Sequence, residues 1–74
     1  MTIDRSAWAD AYNLQAAAFE KLPNMGQDAF WVWYHTRQAA VIDKHDNSPL
    51  IQNLMLAVFE EVEAADTATR QATA

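Results

Sequence analysis

The sequence predicts an all-α protein: a small antiparallel three-helix bundle that associates as a dimer. Three observations carry this expectation. Apolar residues recur at three-to-four spacing in three separate segments. Two short breaks separate those segments: the first holds Pro23 and the only glycine, and Pro49 directly follows the second. So few turn-forming residues would leave an all-β chain without its turns.

The first helix is expected over about residues 6–22, with Ser6 or Asp4 as N-cap. Trp8, Ala11, Tyr12, Gln15, Ala18, Phe19 and Leu22 fall on one face and predict its core side. The reverse face carries Ala9, Ala16 and Ala17, smooth enough for a second helix to approach closely. Pro23-Asn24-Met25-Gly26 ends the helix, because proline disfavours α geometry at Leu22 and Asn24 and Gly26 accept turn dihedrals.

The second helix is expected over about residues 28–45, with Asp28 as N-cap. Its opening, Phe30-Trp31-Val32-Trp33-Tyr34, has strand propensity. No second strand is available to pair with it, and a lone strand leaves its backbone groups unsatisfied. As a helix this turn is apolar all round, so some of its rings are expected to face a partner.

The third helix is expected over about residues 49–66. Ser48-Pro49 supplies an N-cap followed by proline at the first helical position, where a missing N–H costs nothing. Ile51, Leu54, Met55, Val58, Val62 and Ala65 form an unbroken stripe. Gln52, Leu56, Phe59 and Glu63 make a second, mixed face. The Ala/Thr-rich residues 67–74 are expected to fray.

Composition narrows the function classes. A single domain is expected of 74 residues, and 51% hydrophobic content is not that of a disordered chain. Ten acidic against five basic residues give a net charge of −5, which disfavours a phosphate-binding surface for nucleic acid. The longest apolar run, Leu54 to Phe59, is far short of the roughly 20 residues that span a bilayer. No signal-peptide pattern opens the chain, so a cytoplasmic location is expected. With no cysteine there is no disulfide to reinforce the fold. A core of this size rarely supplies more than about 3–5 kcal/mol, so self-association is the expected additional source of stability.

No catalytic residue, cofactor or metal site is assigned. Asp43-Lys44-His45-Asp46 offers potential ligands but lacks a second cluster at ligand spacing, and reads as a polar helix end. His35 lies among rings with no nucleophile or orienting carboxylate in its pattern, and both serines sit at expected helix starts. The expected function is therefore non-catalytic: a regulator, inhibitor or adaptor that docks a helical face on another protein. Phe30, Trp31, Trp33 and Tyr34 are the candidate centre of one contact surface, because large rings desolvate well at interface centres. Leu56 and Phe59 are candidates for a second. Glu60, Glu61, Glu63 and Asp66 form an acidic side, read first as a solvated face. Two alternatives remain: a purely structural homo-oligomeric subunit, and an acidic decoy that blocks a nucleic-acid-binding protein.

Overall fold

The computed structural model describes residues 5–72. Three helices pack against one another: α1 (Arg5–Lys21), α2 (Gln27–Lys44) and α3 (Pro49–Ala72). A 3-10 turn, Leu22–Asn24, follows α1 directly. Side-chain pairs fix the chain direction. Asp10 near the start of α1 meets Lys44 and His45 at the end of α2. Trp31 near the start of α2 meets Asp66 towards the end of α3. The chain therefore runs up, down and up, with α2 antiparallel to both neighbours, as the short breaks predict.

The expected caps are met in part. Ser48 Oγ accepts the Ile51 N–H at 3.2 Å, and Pro49 opens α3. Gly26, not Asp28, is the N-cap of α2, and Asp28 instead lies in the first turn, where its charge suits the helix dipole. In α1, Ser6 is already helical, and Asp4 lies outside the described residues. The α2–α3 connection is a closely specified turn. The Asn47 N–H donates to the Ile42 carbonyl at 2.9 Å, and the Asp46 N–H to the Asp43 carbonyl at 3.1 Å. That is a Schellman ending, with Asp46 at φ 54° in the position glycine usually fills.

α3 contributes more residues to the core than either other helix. Ile51, Leu54, Met55, Val58 and Val62 are buried, as their stripe predicts, and Phe30 and Tyr34 of α2 are fully buried against them. The face of α1 differs from the expected one. Ala7, Ala11, Leu14, Ala18 and the following Leu22 point inward, whereas Trp8, Tyr12 and Phe19 stay in water. The side chains of Phe30, Tyr34, Ile51 and Met55 already fill the interior, so the space left beside them is shallow. Alanines let α1 approach there, where three rings would overpack the core. The close approach expected of Ala9, Ala16 and Ala17 is thus made by Ala7, Ala11 and Ala18.

Of the tail expected to fray, residues 67–72 continue α3 as helix, and residues 73 and 74 lie outside the described residues. Arg70 Nε lies 2.7 Å from Asp66 Oδ1, one turn back, and Asp66 Oδ2 accepts the Trp31 Nε1–H at 3.3 Å. That chain of contacts ties the last turns to α2.

Candidate functional site

The aromatic opening of α2 divides among three directions. At 100° per residue, Phe30 and Tyr34 share the inward face. Trp31 leans to the α3 side, with its ring 5.7 Å from Phe59. Trp33 leans to the α1 side, where the Lys21 ammonium sits 5.3 Å from its ring centre. Val32 is left facing water. Two of the four residues expected to form one contact surface, Phe30 and Tyr34, are therefore core, and Trp31 and Trp33 are half-buried on opposite flanks. A fan of rings around one helix turn thus serves three directions at once, and Trp31 and Trp33 keep part of their surface in water.

The α2–α3 flank forms an open trough of about 420 Å³, lined by Trp31, His35, Phe59, Glu63, Asp66 and neighbouring polar side chains. Three rings touch within it. Trp31 lies 5.6 Å from His35, and His35 lies 6.1 Å from Phe59. Leu56 is 59% exposed one turn before Phe59 on the same side of α3. The structure thus brings Trp31, Phe59, Glu63 and the adjoining Leu56 to one side, and separates them from Trp33.

The acidic run does not form one array. Glu61 lines the α1–α3 groove, Glu63 lines the α2–α3 trough, and Glu60 lies exposed between those directions. Asp66, expected on a solvated face, is buried and engaged by Trp31 and Arg70. A decoy needs its carboxylates on one surface, so this scattering weakens that alternative.

At the other end of the bundle, Asp10 Oδ2 lies 3.0 Å from Lys44 Nζ and 2.7 Å from His45 Nε2. The contact with His45, then that with Lys44, holds the Asp10 carboxyl below the usual carboxylate range. These contacts join α1 to the end of α2 and account for His45 as a tether. Within α2, burial pushes the Tyr34 hydroxyl up to about 12, and it finds no hydrogen-bond partner among the described residues. Gln38 Oε1, one turn further on, is buried and likewise has no partner among the described residues. Among the described residues no three His, Cys, Asp or Glu side chains gather as a metal-binding group, and no helix is long and apolar enough to cross a membrane.

The apolar surface between α1 and α3 was not among those expected from the sequence. Trp8, Ala11, Tyr12, Leu54, Ala57 and Val58 border an open groove of about 270 Å³ between α1 and α3. The available signal was a competing stripe, Ala7, Ala11, Leu14, Ala18 and Leu22, at the same spacing as the ring-bearing one. Comparison of the chain with protein-family models, curated proteins and solved structures finds no significant match.

Proposed function

We propose that the protein is a non-catalytic regulator or adaptor that works as a homodimer and docks its α2–α3 face on another protein. The observation that carries this reading is the solvent-open trough in which Trp31, His35 and Phe59 touch, with Glu63 at its rim and Leu56 exposed beside it. Ring edges, an exposed leucine and a carboxylate suit a partner helix that presents aliphatic and basic side chains.

The test is photo-crosslinking in an extract of the source cells, with a crosslinking amino acid at Leu56 and, as control, at Arg37. A discrete heterologous product at position 56, abolished by Glu63→Lys and absent at position 37, supports the reading. Crosslinking at both positions alike, or none beyond the protein itself, overturns it.

A further inference from the structure

α1 carries its rings on the outside. Trp8 is 56% exposed, Tyr12 69% and Phe19 43%. With Gln15 they form a stripe at positions 8, 12, 15 and 19, about 100° around the helix from the face that enters the core. The stripe has the same spacing read from either end. Its midpoint falls between Asn13 and Leu14, with Trp8 and Phe19 equidistant from it, and Tyr12 and Gln15 equidistant within them.

We infer that this stripe is the dimer contact: α1 of one copy packs antiparallel on α1 of a second copy, about a two-fold axis between Asn13 and Leu14. Such an axis places Trp8 opposite Phe19 of the second copy and Tyr12 opposite its Gln15. A two-fold interface must be self-complementary in this way, residue i meeting j while j meets i. The inference rests on the reading that the protein works as a homodimer, and it names the surface which that reading leaves open.

Area and charge argue for the same occupant. At about 200 Å² per ring, the three exposures leave roughly 340 Å² of aromatic surface in water on each copy. A standard interface removes about 800 Å² per partner, so the rings supply some two fifths of it. Ala9 and Ala16 on the outer edge, and Ala57 across the groove, add surface without blocking approach. The chain's net charge of −5 opposes association in general, and Glu61 lies across the groove from the stripe, but Arg5 and Glu20 set opposite charges along the stripe's outer edge. In the antiparallel arrangement Arg5 comes within two residues, about 3 Å along the axis, of Glu20 of the second copy on the same flank, and symmetry repeats the pair. Within one chain the two are separated by 15 positions, about 22 Å of helix, too far to interact.

The test is the solution mass of the full chain by light scattering over about a hundredfold range of concentration, with folding checked by circular dichroism. Wild type is expected at twice 8.3 kDa. Tyr12→Glu, at a site exposed in the single copy, is expected to weaken association about a hundredfold while staying folded. Trp8→Ala serves as a second, uncharged probe, and Leu56→Glu is expected to leave the mass unchanged. At low salt, Arg5→Glu and Glu20→Arg should each weaken the dimer several-fold, and the double exchange should restore it. A folded Tyr12→Glu and Trp8→Ala that dimerise like wild type overturn the α1 contact and leave self-association standing. No recovery in the double exchange overturns the antiparallel arrangement. A wild type that stays monomeric overturns both the dimer and its contact, while the α2–α3 docking surface is judged separately by its crosslink. Retention of a different protein by α1, lost in Tyr12→Glu, together with a monomeric wild type, reassigns the stripe to that protein.

Discussion

Removing one oxygen atom from the core is expected to stabilise this protein. Tyr34 is fully buried, its ring 6.3 Å from Phe30 and 6.2 Å from Phe59, and its hydroxyl has no partner among the described residues. Tyr34→Phe keeps the ring and every ring contact and deletes only the hydroxyl. An unpaired buried polar group costs about 1–3 kcal/mol. A hydroxyl is small and can rotate, so the lower end is the better expectation: a gain of about 1 kcal/mol. For a chain of this length that raises Tm by about 4–8 °C, and with a urea slope near 1 kcal/mol per molar it moves the midpoint up by about 1 M. Tyr34→Ala is the contrast, because emptying the site costs about 3–5 kcal/mol, comparable to the stability such a core can supply.

A pH series sharpens the same test. The Tyr34 hydroxyl is held up at about 12 in the folded protein, above its ordinary 10.0. The unfolded chain therefore ionises first on the way up, and the folded state loses stability as pH rises from about 10 towards 12. Phenylalanine has no such loss, so the advantage of Tyr34→Phe should widen over that window. The reasoning is refuted if Tyr34→Phe costs 1 kcal/mol or more at pH 7, because the hydroxyl would then have a hydrogen-bond partner.

Three further outcomes are expected. Asp46→Gly should stabilise by about 0.5–1 kcal/mol in urea melts, since Asp46 occupies a left-handed position at φ 54° that glycine adopts without steric cost. Trp31→Phe should destabilise by about 1.5–3 kcal/mol, because the indole N–H that Asp66 accepts is lost from a buried carboxylate; hydrogen exchange should then quicken in residues 67–72 ahead of the rest of α3. Asp10→Asn should cost less than about 1 kcal/mol at pH 7 because the ion pair is partly solvated. The Asp10 carboxyl lies lower in the folded state than its ordinary 3.8, so its contribution is present above that pH and is lost as pH falls below it. Melts of wild type and Asp10→Asn should therefore converge in acid.

The parts of the fold legible in the sequence are those decided within one helix turn or one helix face. Ser48-Pro49 caps and opens α3 by local chemistry, and the stripe from Ile51 to Val62 admits one inward direction. α1 was not decidable in that way. Its alanine stripe and its ring stripe share Ala11, Ala18 and Leu22, and only the depth of space left by α2 and α3 selects between them. The helical end of α3 depends on Trp31 and Asp66, residues 35 positions apart, which no local pattern links. For the candidate sites, residue type alone marked Trp31, Leu56 and Phe59. Type alone could not separate Phe30 and Tyr34, which step 100° further round into the core, from Trp31 and Trp33 beside them.

The turn at Asp46–Ser48 has a consequence for the order of folding. It ends one helix and starts the next within the same few residues, each half held by its own hydrogen bonds. Little loop entropy is then lost when α2 meets α3, and their contacts are the nearest in sequence that bury Tyr34 and Phe59 rings together. The α2–α3 hairpin is accordingly the expected nucleus. α1, whose inward face offers mostly methyl groups, is expected to dock after the rate-limiting step. Truncations at Ile51 and Val58 should therefore slow folding, whereas Leu14→Ala should chiefly quicken unfolding. The helix expected to join last in folding is thus the one that keeps its rings, Trp8, Tyr12 and Phe19, on the outside.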